Sequence, residues 1–176
     1  YRTLPGTEHP LASYFTRGSG HNEAAGYTEK PQDYVNGVDR LKRKFDTART
    51  LVPKPAIETV PGAEIGIIAY GTTDLPMREC RDQMAAVGLK TDYLRLKAYP
   101  FTKELTDFIK SHKRCYVVEQ NRDGQMFELI QLEVGMLLEK LRSVRHYNGL
   151  PLDARTVSDA ILEQEGVKPA VKAAKK

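Results

Sequence analysis

Cysteine is scarce in this sequence: Cys80 and Cys115 are the only two among 176 residues. They form no Cys-x-x-Cys pair, so the chain lacks the ligand spacing of a structural zinc or iron–sulfur site. One falls on the apolar stripe of a predicted helix and the other in a predicted strand. That placement implies buried thiols in a reducing compartment, here the cytoplasm. His9, His112 and His146 are scattered without metal spacing. No apolar run approaches the length of a membrane span, and no charged-then-apolar signal segment opens the chain. An opening methionine is missing too, and Tyr1-Arg2-Thr3-Leu4 reads as mid-protein sequence.

Catalytic signatures are equally thin. There is no G-x-G-x-x-G, no G-x-x-x-x-G-K, no serine-centred elbow and no Cys–His pairing that spacing supports. The net charge of +4 is misleading, because Lys168, Lys172, Lys175 and Lys176 supply it and leave a formally neutral body. A neutral body argues against a nucleic-acid groove, which needs clustered cations to release counterions. A nucleic-acid reading rests only on that tail and on Arg40–Lys44. Residues 166–176, rich in Lys and Ala, are expected to be a disordered solvating end.

What is present suits one α/β domain with an appendage. The hydrophobic content of 40% is enough for a real core. Residues 1 to about 30 hold Gly6, Gly18, Gly20, Gly26, Pro5 and Pro10 with little periodicity, and read as an extended arm. Pro31 then suits the first turn of a helix. Tyr34, Val38, Leu41 and Phe45 give that helix one apolar stripe that faces a partner surface. Arg40, Lys42, Arg43 and Lys44 are assigned to the opposite face, either solvated or in contact with an acidic neighbour. Pro53, Pro55 and Pro61 mark a linker.

From Glu64 onward strands and helices alternate. Glu64–Tyr70, Thr91–Leu96, Arg114–Glu119 and Ser143–Tyr147 are the expected strands. Thr73 or Asp74 is placed to cap a helix carrying Met77, Cys80, Met84 and Val87 inward. A short helix follows Pro100 and Thr102, with Leu105, Phe108 and Ile109 inside. A long one follows Asn121-Arg122-Asp123-Gly124, with Met126, Ile130, Val134, Leu137 and Leu141 on one face. Asp153–Glu165 closes the pattern as a helix. Such alternation with short links implies a three-layer α/β/α domain with a mostly parallel sheet and right-handed crossovers.

Three places are candidates for interface or ligand contact. Thr72 and Thr73 lie where such folds bind ligands, beyond the carboxyl end of a strand at a helix start, yet Asp74 would repel a phosphate there. Gln120, Asn121 and Arg122 sit in a dense polar run, Glu119–Gly124, at the same sheet edge. That run either bonds a neighbour or fixes its own turn. His21, Asn22 and Glu23 bring a histidine and a carboxylate close together, without a visible pocket for base catalysis.

Several blocks in order resemble a known family. They are Arg2-Thr3-Leu4-Pro5-Gly6, the stretch Phe15 to Glu23, and Arg40-Leu41-Lys42-Arg43-Lys44-Phe45. Further on come Ala69-Tyr70-Gly71-Thr72-Thr73, Leu94-Arg95-Leu96 with Tyr99-Pro100-Phe101, and Val117 to Gln125. Together, from Tyr1 to about Ile161, they resemble the C-terminal part of the α subunit of 2-oxoacid:ferredoxin oxidoreductases, most closely the 2-oxoglutarate type. The resemblance implies a transketolase C-terminal-like domain at 56–165 with five strands, one of them antiparallel. The fifth is expected before Pro61, around Ile57–Val60. It also implies that residues 1–55 are the end of a pyrimidine-binding domain with its linker helix.

By the same resemblance the parent enzyme oxidatively decarboxylates a 2-oxoacid to an acyl-CoA and reduces ferredoxin. Its thiamine diphosphate with magnesium and its iron–sulfur cluster of the 4Fe–4S type lie elsewhere in the complex, held mainly by the β subunit. The expected partners are the upstream α-subunit domains, the β subunit and ferredoxin, with 2-oxoacid and CoA as substrates of the complex. No nucleic acid or membrane is expected. No catalytic residue, cofactor site or metal site transfers to this chain. The run Tyr99-Pro100-Phe101-Thr102 resembles a substrate-loop motif only superficially, and its position keeps that role from being carried over. The alternative is a free-standing small-ligand or protein-binding module that uses the Thr72 and Asn121 loops.

Overall fold

Isoleucine, valine and tyrosine pack well on a pleated surface, and their short runs build the middle of a sheet. The computed structural model describes residues 3–13 and 20–168. It divides into two compact units, Tyr1–Leu51 and Val52–Lys176.

The second unit holds strands β1 (Ala56–Glu58), β2 (Ile65–Tyr70), β3 (Thr91–Leu96), β4 (Arg114–Glu119) and β5 (Leu141–Arg145). Their spatial order is β1-β3-β2-β4-β5. β2 runs parallel to β3 and to β4, and β4 runs parallel to β5. β1 is antiparallel to β3. This is the five-stranded, mostly parallel sheet that was expected, with the extra strand ahead of Pro61 at Ala56–Glu58.

Helices cover both faces because the central strands are apolar on both. Ile67, Ala69, Tyr116 and Val118 point to one side and pack with Met77, Cys80 and Met84 of helix α2 (Met77–Ala85). Val157, Ile161 and Leu162 of helix α5 (Ala154–Gln164) join them. Ile68, Leu94, Cys115 and Val117 point to the other side, against Leu105, Phe108 and Ile109 of helix α3 (Lys103–Ser111). Ile130 and Val134 of helix α4 (Gln125–Val134) complete that layer. Each Ile or Leu buried this way contributes about 2 kcal/mol. Cys80 and Cys115 are free and buried, and burial pushes each thiol up to about 12.

Several sequence expectations need correction. The long helix stops at Val134, because Gly135 takes φ +49° and a 3-10 turn, Gly135–Lys140, follows. Leu141 therefore leaves the helical stripe and enters β5 opposite Cys115, so the strand begins two residues before Ser143. Neither Thr73 nor Asp74 caps α2. They belong to a 3-10 turn, Gly71–Asp74, where Thr73 is buried. Asp74 instead accepts a hydrogen bond from the Tyr93 hydroxyl (2.6 Å) and pairs with Arg95 (3.1 Å). The closing helix does end as expected, capped at its start by Asp153. Its last turn is closed by the Val167 amide on the Leu162 carbonyl (2.9 Å), so Gly166 and Val167 belong to the helix end and not to a free tail. The rest of the Lys/Ala tail, from residue 169, lies outside the described residues, as do Arg2 and residues Phe15–Ser19 of the motif blocks.

His112 is structural. Its Nε2 lies 3.0 Å from Asp92 Oδ2 and its Nδ1 lies 2.6 Å from the Phe108 carbonyl. Asp92 also accepts the Val60 amide at 2.7 Å. One buried pair thus fastens the β1–β2 link to the start of β3 and the end of α3. Glu165 ties α5 to β4 in the same manner, accepting from Arg114 Nε (2.6 Å) and the Tyr116 hydroxyl (2.5 Å). Burial pushes the Glu165 carboxyl upward, but these donors outweigh it and hold the group below its ordinary value.

The first unit is built differently. Its described arm makes turns and a single bridge between His21 and Tyr27. Helix α1 (Pro31–Leu51) follows, opened by Pro31 as expected, and none of its residues is buried. At 100° per residue Arg43 and Arg40 lie on the side away from the Tyr34 stripe. Lys42 and Lys44 flank that stripe, which corrects the expected placement.

Gly66 sits where no side chain fits. A Cβ there would lie 2.5 Å from Phe108 Cε1 and 3.0 Å from Cys115 Sγ. Gly66→Ala should therefore lower the unfolding free energy by about 2 kcal/mol with an unchanged urea m-value, read by chemical denaturation.

Candidate functional site

In an open parallel sheet, the crevice for ligands or partners lies beyond the carboxyl ends of strands where the winding reverses. Here the chain runs from β2 outward to β3, then crosses back to β4 on the other side of β2. The reversal falls between the ends of β2 and β4. The Thr72–Thr73 turn follows β2, and the Gln120–Arg122 loop follows β4.

The structure brings these two loops together. Gln120 Nε2 lies 3.2 Å from both Thr72 Oγ1 and Thr73 Oγ1 and donates to them. Thr73 is buried, whereas Thr72 and Gln120 are exposed. Gly71, at φ +57°, lets the chain leave β2 sharply enough to present both threonines.

Behind Gln120 stands Glu119, the last residue of β4 and fully buried. Its carboxylate accepts the backbone amides of Met126 (2.9 Å) and Phe127 (3.0 Å). Those are free donors of the first turn of α4, the position where an incoming phosphate would bind. The Asn121 side-chain amide donates to the same carboxylate. Asn121 Oδ1 in turn accepts the Gly124 amide (2.7 Å) and the Gln125 amide (3.2 Å). Gly124, at φ +75°, is the left-handed residue that makes this turn possible. Burial, followed by the neighbouring Glu119 charge, raises the Tyr70 phenol above its ordinary value, and a hydrogen bond with Asn121 opposes this.

Arg122 faces outward. It is paired with Asp123 (2.7 Å), and its carbonyl accepts Arg145 Nη1 (2.8 Å). His21, Asn22 and Glu23 belong to the first unit, and Asn22 is the organiser there. Its Oδ1 accepts the Ala24 amide (3.0 Å) and the Gly26 amide (2.9 Å), a side-chain turn of the kind asparagine favours. His21 Nδ1 lies 2.9 Å from the Asn22 carbonyl, and no bond joins His21 to Glu23 among the described residues. Phe101 of the Tyr99–Thr102 run is buried with the α3 layer.

Glu119 is the residue that sequence reasoning undervalued. The signal was visible: an acid ends the otherwise apolar run Arg114–Glu119. Among the described residues no group of three or more His, Cys, Asp or Glu is arranged to hold a metal ion.

No family model matches the chain. The α subunit of 2-oxoacid:ferredoxin oxidoreductase 1 from Aeropyrum pernix is 23% identical, covering 89% of this chain and 27% of that subunit. A solved structure of the 2-oxoglutarate:ferredoxin oxidoreductase from Magnetococcus marinus, with 2-oxoglutarate, coenzyme A and succinyl-CoA bound, superimposes with a TM-score of 0.76. It is 25% identical and covers 91% of this chain and 28% of its own. This chain is related to part of a 2-oxoacid:ferredoxin oxidoreductase. The resemblance carried by its motifs is thereby borne out. It spans little more than a quarter of the length of these oxidoreductase chains. No helix among the described residues is long and apolar enough to cross a membrane.

Glu119→Gln tests how this pair of loops is held. The substituted amide turns a donor toward the amides of α4, so stability should fall by about 2 kcal/mol in urea denaturation. Gln120→Ala, on the exposed side of the same loop, should change it by less than about 0.5 kcal/mol.

Proposed function

We propose that this chain is the transketolase C-terminal-like domain of the α subunit of a thiamine-diphosphate-dependent 2-oxoacid:ferredoxin oxidoreductase, and that it acts as an interface domain. The parent enzyme oxidatively decarboxylates a 2-oxoacid, with 2-oxoglutarate foremost, to the acyl-CoA and reduces ferredoxin. Thiamine diphosphate supplies the electron sink for such chemistry when bound. In this reading it lies with magnesium and the 4Fe–4S cluster in other parts of the complex. The division proposed is 1–55 as the end of the pyrimidine-binding domain with its linker helix, 56–167 as the interface domain, since Gly166 and Val167 close its last helix, and the Lys-rich residues after them as the tail. A cytoplasmic setting accords with two unpaired, buried thiols.

One observation carries the interface role. The crevice at the winding reversal holds polar side chains, but the α4 N-terminus behind it is already closed by the protein's own Glu119. A phosphate-bearing cofactor needs those amides open. Thr72, Gln120 and Arg122 remain on the outside, as donors and acceptors for a neighbouring polypeptide. The upstream α-subunit domains and the β subunit are the neighbours proposed.

The pure chain, given 2-oxoglutarate, CoA and methyl viologen, should reduce no dye above the protein-free rate. Co-expressed with an upstream α region and a β subunit, it should purify with them. Thr72→Ala with Gln120→Ala should weaken that association several-fold without unfolding the domain. Dye reduction by the lone chain would contradict the proposal. Tight calorimetric binding of thiamine diphosphate or CoA to it would instead favour a free-standing ligand-binding module.

A further inference from the structure

Helix α1 carries an apolar stripe at alternating intervals of four and three: Tyr34, Val38, Leu41, Phe45 and Ala48. This is the seam spacing of a helix that packs along a second helix. Tyr34 is 69% exposed, Val38 47%, Leu41 48% and Phe45 50%. Four large apolar side chains in one row are more than scattered surface hydrophobes.

The charges around the seam are sorted. The positions that flank it are Val35, Gly37, Lys42, Lys44, Arg49 and Leu51, and every charged residue among them is a cation. The acids Asp33, Asp39 and Asp46 lie on the outer positions. Lys42 bonds Asp46 at 2.6 Å, but both are largely exposed, so that pair competes weakly with a partner's charge.

Flanking charges of one sign decide which helix can dock. In a parallel pair of identical copies Lys44 of each helix would meet Arg49 of the other, and the seam would repel itself. We infer that α1 is a docking site for an amphipathic helix of another polypeptide whose apolar stripe is flanked by Asp and Glu. The stripe supplies the contact area and the cations select the partner.

The test uses the full chain and two synthetic helices with leucine at the seam positions. One carries Glu at every flanking position and the other carries Lys. Fluorescence anisotropy should show the Glu-flanked helix binding about tenfold or more tightly than the Lys-flanked one, with an affinity that falls as salt rises. Leu41→Gln, an exposed change that keeps helix propensity, should abolish binding while leaving the circular dichroism spectrum unchanged. Equal affinity for the two helices, no binding of either, or binding that survives Leu41→Gln would overturn the inference. So would sedimentation showing a dimer of the chain that Leu41→Gln dissolves, since the occupant would then be a second copy.

Discussion

A single buried carboxylate organises the ligand-facing edge of this domain. Glu119 ends β4 with no exposed surface and spends its oxygens on two amides of α4 and on Asn121. An ionised carboxylate in such a place is tolerable only with several donors around it. Those donors belong to the helix start and the turn that must be held in register with the strand. The helix dipole favours the same charge at the same spot. The bond therefore does two things at once: it anchors the loop that carries Gln120, and it fills the position a phosphate would seek.

The sheet makes that carboxylate matter. With winding that reverses between β2 and β4, the Thr72–Thr73 turn and the Gln120 loop become neighbours although Thr72 and Gln120 are 48 positions apart in the chain. Helices on both faces leave the strand ends as the accessible rim. Two further acids, the buried Asp92 and the partly buried Glu165, fasten the domain elsewhere, the first across the start of β3 and the second across the start of β4. Each acid holds together elements that lie far apart in the chain.

Legibility in the sequence followed the range of the interaction. Ile65–Tyr70, Thr91–Leu96 and Arg114–Glu119 were readable because short runs holding β-branched, tyrosine or leucine residues end in glycine or polar residues. The Asn22 turn is local chemistry, and its residues stood out as a cluster. The end of α4 was not readable, because Leu137 and Leu141 continue the helical period and only Gly135 signals the break. Asp74 looked like a cap from its place before Pro76, whereas tertiary partners Tyr93 and Arg95 claim it. Glu119 reaches residues seven and eight positions ahead, beyond any capping pattern that spacing alone reveals. The candidate residues at the sheet edge were named from position, while what holds them needed the fold.

The interface role requires the α4 N-terminus to be closed from within. Nuclear magnetic resonance of the Met126 and Phe127 amides, during titration of the chain with inorganic pyrophosphate, tests this most directly. Both resonances should stay put while Glu119 remains their acceptor. Saturable shifts of those two amides would show that an anion displaces the carboxylate, and would contradict the interface role.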